Sequence, residues 1–415
     1  MKYNRRTLAL ATAGLVTIPS VLQAEEKPSS VLTALSSTTL SGYVSTSAIW
    51  EPGTSTANIP GRAFDGPSGK QDGFNVDVVS LTLSKPLDET AWAAGYTVQL
   101  WLGPDAAGFN TSFPNPSGAG GDFAVKQAFV ELHAPIGNGL DIKLGHFNYI
   151  GGFEQPDAGL NPNYSRSFAW TQEPASHTGL LLSYVVNPVV SLMGGVANTV
   201  NNGVNWRAAR YNGTVTGSPS ETEKTYMANV TLTAPTNGFG SFGGSTLAAT
   251  IVNGLNNASG DAGTTLTRGH TTSFNLSVTT PTPVTNLKVG FSYDYTDGPN
   301  LPGALPTVDT RGKYINVVTA YAFYQATEKL KFAGRGEYTS ASNGAWYAPS
   351  ATSQHAELMG WTGTIDYSLW KNVISRGELR WDHSLTGDRP YGGTVLVPGG
   401  EKNVVTFALN MIYNF

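Results

Sequence analysis

The chain of 415 residues contains no cysteine and little charge. The absence of cysteine excludes disulfides, thiolate metal sites and a thiol nucleophile. Charged residues make up 13% of the chain, about half the usual quarter, which is unusual for a protein that must stay dissolved in water. Long hydrophobic runs are also missing, because none reaches the roughly 18 residues that a transmembrane helix needs. These absences argue against a membrane-spanning helix and favour an outer surface that faces hydrocarbon.

The first 24 residues have the pattern of a secretory signal peptide. A basic start, MKYNRR, precedes a short apolar run over residues 8–18, and the small residue Ala24 stands before Glu25. This order of a basic, an apolar and a small-residue segment is the pattern that signal peptidases recognise. We therefore expect residues 1–24 to be a cleaved signal peptide and residues 25–38 to be a short periplasmic segment.

Segments with the alternating apolar and polar pattern of β-strands recur along the rest of the chain. In one of them, Leu287 and Val289 share a face opposite Lys288. Clusters of Gly, Pro, Asn and Asp separate the segments, as expected for turns and loops. Sixteen such segments are found, at residues 40–50, 74–84, 92–102, 123–134, 140–147, 177–186, 189–199, 224–233, 246–253, 271–279, 286–296, 313–324, 329–340, 356–369, 373–383 and 404–415.

The connections between these segments alternate in length. Those after the odd-numbered strands have 15 to 29 residues, and those after the even-numbered strands have 2 to 12. A soluble β-sandwich or β-helix, which is the alternative fold, gives no reason for such alternation. A transmembrane β-barrel does, because its periplasmic turns are short and its extracellular loops are long. The sequence therefore predicts an all-β protein, a transmembrane antiparallel β-barrel of about 16 strands over residues 39–415.

Several predicted strands carry all their charges on one face. A Lys or Arg that faces lipid at the bilayer midplane costs about 2–4 kcal/mol, so these faces must point into the barrel. A barrel of this size encloses a space too wide for side chains to fill, which predicts a wet, charged lumen. The charges could serve the pore, or they could form salt bridges that stiffen the wall. They are Asp141, Lys143, Lys331, Arg335, Glu337, Arg376, Glu378, Arg380 and Asp382.

Four stretches of the chain resemble the OmpL-like branch of bacterial outer-membrane porins. They are TLSGYVSTS (39–47), GNGLDIKLGHF (137–147), the segment 161–188 and RGELRWDHS (376–384). The resemblance covers essentially the whole mature chain. It implies a trimeric porin in the outer membrane of a Gram-negative bacterium, in contact with membrane lipids and lipopolysaccharide. Such a porin lets small hydrophilic solutes and ions diffuse passively, without a cofactor and without binding nucleic acid.

The resemblance also implies a role for the third long connection, residues 148–176. In sixteen-stranded porins the third loop folds into the barrel and narrows it, whereas the alternative is an ordinary exterior loop. On the first view its acidic residues Glu154, Asp157 and Glu173 face a basic wall across the constriction and set up a transverse field. That wall would consist of Lys331, Arg335, Arg376 and Arg380. On the opposing view each arginine is neutralised by the carboxylate next to it.

The last predicted strand ends in Tyr413 and Phe415, with an apolar residue at every second position before them. The chain resembles other outer-membrane barrels in that it ends on an aromatic residue. This resemblance implies that the ending is a signal for the barrel assembly machinery. We therefore expect Phe415 and Tyr413 to act in assembly.

No signature of catalysis is present, so an enzyme is not expected. The segment GFGSFG (238–243) matches a dinucleotide-binding pattern, but a predicted strand follows it where that motif needs a helix. An outer-membrane adhesin or receptor that acts through its extracellular loops remains the alternative to a porin.

Overall fold

The computed structural model describes most of the chain beyond residue 36. The described residues are 37–54, 59–64, 70, 72–88, 91–107, 109, 122–200, 203–206, 223–255, 270–298, 313–347, 353–393 and 400–415. The predicted signal peptide and residues 25–36 of the predicted periplasmic segment lie outside this set.

Sixteen strands form one closed barrel in which each strand pairs with its neighbours in sequence and β1 pairs with β16. The prediction of a sixteen-stranded antiparallel barrel is confirmed, and the predicted strand positions agree with the structure to within about two residues at most ends. The strands are β1 (Thr39–Trp50), β2 (Gly73–Lys85), β3 (Ala93–Leu102), β4 (Phe123–Ala134), β5 (Leu140–Asn148), β6 (Ser176–Val185), β7 (Val190–Ala197), β8 (Thr225–Thr233), β9 (Thr246–Leu255), β10 (His270–Pro281), β11 (Leu287–Asp297), β12 (Tyr314–Gln325), β13 (Leu330–Ser342), β14 (His355–Trp370), β15 (Val373–Ser384) and β16 (Asn403–Asn414).

The alternation of side chains along β16 shows why these sequences form a barrel wall. Phe407 and Leu409 are exposed on the outer face, whereas Thr406 and Asn410 are buried inside. An apolar exterior and a polar interior are what a closed sheet in hydrocarbon requires. Closure also pairs the edges of β1 and β16 with each other, so the sheet has no open edge in lipid.

The connections alternate in length, as predicted. The short ones run from the two residues 371–372 to the twelve residues 234–245, and the latter contain the 3-10 helix Gly240–Phe242. GFGSFG is therefore part of a turn, with no nucleotide-binding helix after it. The long ones run from the twelve residues 343–354 up to 27 residues, a length that the third connection, 149–175, shares with the fourth, 198–224. The sequence predicted that the third connection is the longest, whereas in the structure the third and fourth connections have the same length.

The seam between β1 and β16 depends on a glycine. The backbone N–H groups of Gly42 and Phe415 each donate to the other residue's carbonyl oxygen over 3.0 Å. A Cβ atom at position 42 would lie 2.1 Å from the carbonyl oxygen of Ser80 and 2.8 Å from Cζ of Phe415. Only glycine allows this close approach, so the ring of Phe415 packs over the place where a side chain would stand.

Helices are few and short. Among the described residues they are α1 (Pro104–Ala107), α2 (Phe168–Gln172) and the 3-10 helices Ala158–Leu160 and Gly240–Phe242. In the part of the chain that the structure describes, none of them has the length and apolar character needed to cross a membrane.

Candidate functional site: the barrel lumen

The third connection, residues 149–175, enters the barrel and packs against its inner wall. It contains the 3-10 helix Ala158–Leu160 and the single-turn helix α2. The side-chain oxygen of Ser167 caps α2 by accepting the backbone N–H of Trp170 over 3.1 Å. Most of the connection lacks regular secondary structure, so its backbone groups need partners elsewhere.

Strand β13 holds the connection at two points. Arg335 donates from Nη1 to Oε1 of Glu154 over 3.0 Å and to the carbonyl oxygen of Ser165 over 2.6 Å. Two residues along the same inner face, Glu337 accepts the backbone N–H of Phe168 over 2.6 Å. One strand therefore fixes both the entering and the returning arm.

Strand β15 supplies further partners in the same way. Arg376 donates to the carbonyl oxygens of Ala158 over 2.8 Å and Asn161 over 2.9 Å. Glu378 accepts the backbone N–H groups of Tyr164 over 2.6 Å and Ser165 over 2.9 Å. Arginines thus satisfy carbonyl groups and glutamates satisfy amide groups of a segment that cannot satisfy its own.

The charged groups on this wall form a chain of alternating sign. From Arg62 at one end to Glu154 at the other, the nitrogen–oxygen distances between successive side chains are 2.7, 2.8, 3.4, 2.8 and 3.0 Å. The first member comes from the connection between β1 and β2 and the last from the third connection, so the chain joins the two through the wall. Its members, in order, are Arg62, Asp382, Arg380, Glu337, Arg335 and Glu154. All six side chains are buried.

A second, shorter group lies on the same wall. Asp366 of β14 accepts from Lys331 over 3.1 Å and from Nε of Arg376 over 3.0 Å. The four residues predicted as a basic wall, Lys331, Arg335, Arg376 and Arg380, are therefore brought together, and each lies against a carboxylate.

The predicted acidic face of the third connection is not present as such. Only Glu154 reaches the basic wall. Asp157 instead accepts a hydrogen bond over 2.9 Å from Gln99 of β3, and Glu173 lies over Gly152 near Asp294 of β11. The geometry of an acidic loop that faces a basic wall across open space is wrong, because the connection touches the wall and its carboxylates point to three different parts of the barrel.

Two further buried charges lie on the wall formed by β1, β2 and β4. Asp77 accepts from the hydroxyl groups of Ser45 over 2.8 Å and Ser47 over 2.6 Å. Lys126 donates to the side-chain amide oxygen of Asn148. Both charged residues sit at irregularities in strand pairing, where one strand has an extra residue. Such bulges let a side chain turn to the face that strict alternation denies it.

The remaining predicted charges lie towards the end of the barrel that carries the short turns. Asp141 contacts Nδ1 of His133 at 2.5 Å, and Lys143 lies 3.9 Å from Glu131. These side chains are between 3 and 23% exposed. They do not contact the third connection.

Sequence reasoning missed several charged residues of the lumen, and four of them show how the reasons differ. Asp366 lies an even number of positions from Thr362 and Thr364 and therefore on the same face of β14. The alternation along that strand could have identified it as a lumen residue. Asp77 and Lys126 could not be found in this way, because the bulges break the alternation. Arg62 lies in a long connection, whose fold the sequence pattern does not specify.

A closed sixteen-stranded barrel with an inward-folded third connection and a charged inner wall defines a class of protein, the outer-membrane channels. The structural comparisons agree on the fold. DcaP, an outer membrane channel of Acinetobacter baumannii, is 12% identical with a TM-score of 0.56, over 91% of this chain and 97% of that one. An anion-selective porin from Comamonas acidovorans is 12% identical with a TM-score of 0.54, over 91% and 99%. OmpT of Vibrio cholerae, in its trimer form, is 11% identical with a TM-score of 0.50, over 91% and 99%.

A family profile identifies the chain more directly. Residues 37–415 match the family described as beta-barrel porin-2, OmpL-like. No curated protein matches the chain. The chain belongs to the OmpL-like beta-barrel porin-2 family, and it is a channel protein of the bacterial outer membrane.

Proposed function

We propose that the protein is a passive diffusion porin for small hydrophilic solutes and ions, and that its pathway is narrowest where the third connection crosses the lumen. The observation that carries this proposal is the set of hydrogen bonds that Arg335, Arg376 and Glu378 make to residues 149–175 inside a closed barrel. These bonds keep the connection within the barrel and leave polar side chains along the route.

The proposed site comprises the basic wall, the acidic residues of the third connection and the charges near the short turns. Of the basic wall residues, Arg335, Arg376 and Arg380 donate to the connection, Lys331 pairs with Asp366, and Glu154 ties the connection to the wall. Asp157 and Glu173 anchor it elsewhere in the barrel. Asp141 and Lys143 belong to the wider part of the lumen near the short turns.

The basic wall is electrically balanced. Five cations, Arg62 and the four basic wall residues, are matched in number by five carboxylates, of which four are ion-paired with them and the fifth, Glu378, accepts from the third connection. Those carboxylates belong to Glu154, Glu337, Asp366, Glu378 and Asp382. A balanced set of fixed charges orients dipolar solutes and holds water, so we propose weak ion selectivity for the wild type.

Conductance across a planar lipid bilayer tests the proposal. We expect stable open channels, with a reversal potential close to zero under a salt gradient. Protein that inserts into the bilayer but never conducts would contradict the porin function and favour the adhesin or receptor. A strongly selective wild-type channel would contradict only the balanced charge.

Three further features belong to the proposal. We propose that the protein assembles as a homotrimer, which is supported by the trimer form of the similarly folded OmpT. We also propose that residues 1–24 are cleaved on export and that Phe415 and Tyr413 guide assembly by the barrel assembly machinery. The barrel would then lie among outer-membrane lipids and lipopolysaccharide. No catalytic activity is proposed.

A further inference from the structure

The connection between β1 and β2, residues 51–72, also enters the barrel. We call its residues 59–64 the inward arm. Ile59 of the arm belongs to a buried cluster that contains Phe168 of α2, Ile315 of β12 and Val404 of β16. Positions 315 and 404 lie on the inner faces of their strands. The lumen therefore holds part of this connection as well as the third one.

An ion pair joins the inward arm to the wall. Nε of Arg62 donates to Oδ2 of Asp382 over 2.7 Å, and both side chains are buried. The other carboxylate oxygen of Asp382 accepts from Nε of Arg380 over 2.8 Å. Each of these charges would be costly to bury alone, so the pair fixes the arm on β15.

Gly61 lets the inward arm lie directly on the third connection. Its φ is +78°, and its carbonyl oxygen accepts the hydroxyl of Thr171 over 2.9 Å. A Cβ atom at this position would lie 2.6 Å from Cδ1 of Phe168. The left-handed backbone and the close approach both require glycine. The sequence of the arm is therefore fitted to α2.

Lys70 holds the same connection at a second point. Its Nζ lies 2.9 Å from Oδ1 of Asp105 in α1 and 4.0 Å from Oδ1 of Asp77 in β2. It also lies 5.1 Å from the ring centroid of Tyr164 in the third connection. Between Arg62 on β15 and Lys70 on β2, the connection thus passes β16 and β1 on the inside of the barrel.

Phe64, at the end of the inward arm, packs among aromatic rings. Its ring centroid lies 6.5 Å from that of Trp101 in β3, 6.2 Å from that of Phe109 and 6.4 Å from that of Trp170 in the third connection. Ring pairs at such distances attract one another beyond the area that they bury. The arm and the third connection are therefore packed together as one body inside the barrel.

We propose that the inward arm is the second half of the constriction, so that two connections together limit passage to ions and to hydrophilic solutes smaller than the third connection alone would exclude. Arg62 and Gly61 are positioning residues, since they act through the place of the arm. The proposal rests on the proposed porin function and adds a limit on solute size. Arg62 is the one charge of the arm and is paired, so the arm narrows the pathway without setting its ion selectivity.

Replacing residues 59–64 by the sequence Gly-Ser-Gly-Ser-Gly-Ser keeps the length of the connection and removes the side chains that hold the arm. A segment without these contacts is free to leave the lumen. We expect single-channel conductance to rise by about half or more. Larger polyethylene glycols should then enter the channel and reduce its current. Heat-modifiable gel mobility checks that this variant and those below are folded barrels.

Gly61→Val tests the place of the arm without changing any charge. Valine fits neither the φ of +78° nor the space in front of Phe168, so the arm should leave α2. The matched control is Gly53→Val in the same connection, where φ is +89° and no atom of the described part of the chain lies within 4 Å of the added Cβ. We expect higher conductance in Gly61→Val alone, with an unchanged reversal potential.

Cross-linking tests the place of the arm without requiring conduction. The chain has no cysteine, so Phe64→Cys with Trp170→Cys supplies the only thiols. A recess of about 210 Å³ borders both positions and admits a short bifunctional methanethiosulfonate. The control pair is Phe64→Cys with Trp92→Cys, because Trp92 is 72% exposed at the other end of β3. We expect the first pair to cross-link at least tenfold faster, by mass spectrometry of the joined peptides, and Gly61→Val to slow that reaction.

The outcomes separate the inward arm from the porin function. Wild-type channels that conduct no less than the Gly-Ser variant overturn the second half of the constriction and leave the porin function standing. A conductance of Gly61→Val at or below that of Gly53→Val overturns it too, and so does equal cross-linking of the two cysteine pairs. Protein that conducts in neither wild-type nor variant form overturns the porin function, and the cross-link then still reports whether the arm lies on the third connection.

Discussion

Two parts of the inner wall hold the third connection in different ways. On β13 and β15, charged side chains such as Arg335 and Glu378 bond directly to its backbone. On β8 to β10 the inner face carries no charge, only hydroxyl, amide and apolar groups such as Met227 and Val252. The polar groups bond to one another, as Asn229 does when it donates to Thr250 over 2.7 Å. We refer to the two parts as the charged wall and the neutral wall.

The difference shows which chemistry fixes an irregular segment inside a barrel. Hydrogen bonds to charged groups contribute about 1.5–3 kcal/mol each, roughly twice the value of neutral ones. The charged wall therefore supplies hydrogen bonds to the backbone of the connection, whereas the neutral wall contacts it by packing, with Ile150 in one buried cluster with Met227 and Val252.

The largest expected effect comes from removing one charge of the charged wall. Arg335→Met leaves Glu154 and Glu337 buried without their main partner, which we expect to cost about 3–5 kcal/mol of unfolding free energy. The freed connection should also raise single-channel conductance. Thermal unfolding in detergent and bilayer recordings measure the two effects.

The matched variant on the neutral wall is Thr231→Val, which removes a 3.0 Å hydrogen bond to Asn229. It should cost about 1 kcal/mol and leave conductance unchanged. If the two variants are equally destabilised and conduct alike, the contrast between the walls is wrong.

Replacing both Arg376 and Arg380 by Ser tests how the arginines of the charged wall affect conductance and ion selectivity. The double variant leaves the set of ten charged side chains around Arg62 and the basic wall with five carboxylates and three cations, so we expect higher conductance and a reversal potential that shifts towards cation preference. Single-channel recordings under a salt gradient measure both. An unchanged reversal potential would mean that the arginines contribute rigidity alone, and Thr250→Ala serves as the neutral-wall control.

A smaller effect is expected from Asp105 of α1, whose carboxylate pairs with Lys70 of the connection between β1 and β2. Burial raises the pKa of Asp105 to about 6 although Lys70 lies 2.9 Å away. The folded state then holds a proton that the unfolded chain loses near its ordinary pKa of about 4. The stabilisation from this group is therefore present below pH 4 and is lost as the pH rises through 6.

Asp105→Asn should remove that dependence. Between pH 4 and 7 the wild type should lose up to about 3 kcal/mol relative to the variant, as two pKa units imply. Unfolding midpoints across this range, compared with Thr231→Val as a variant that keeps the carboxyl, measure the effect. Parallel pH profiles for the wild type and Asp105→Asn would contradict the raised pKa.

The smallest effect on the finished barrel is expected at the seam, which belongs to neither wall. Phe415→Ser keeps the backbone bonds to Gly42 and should change stability by less than about 1 kcal/mol. It should nevertheless lower the amount of protein in the outer membrane of growing cells. Normal assembly of this variant at ordinary expression would show that Phe415 is not an assembly signal.

The fold could be predicted from the sequence because alternation is a local property. Along β16, Phe407, Leu409 and Met411 alternate with Thr406 and Asn410, and this pattern alone assigns each side chain to lipid or lumen. The connection lengths then determined the antiparallel order and the end that carries the long loops. The charged faces of β13 and β15 followed from the same parity.

The site could be predicted only in part because its contacts join residues far apart in the chain. Glu154 and Arg335 are 181 positions apart, and no pattern in either segment shows that they meet. The sequence placed Asp157 and Glu173 beside Glu154 on one acidic face, whereas the path of the connection sends them to Gln99 and to the neighbourhood of Asp294.

The sequence by itself determined the barrel, its sixteen strands and their facing, since each depends on composition or on alternation between neighbouring residues. Only the tertiary structure decided which charges pair, where the bulges at Asp77 and Lys126 turn side chains inward, and how Phe64, Phe109 and Trp170 meet. The physical reason is that an irregular connection takes the path on which its backbone groups find partners, and those partners come from the assembled wall.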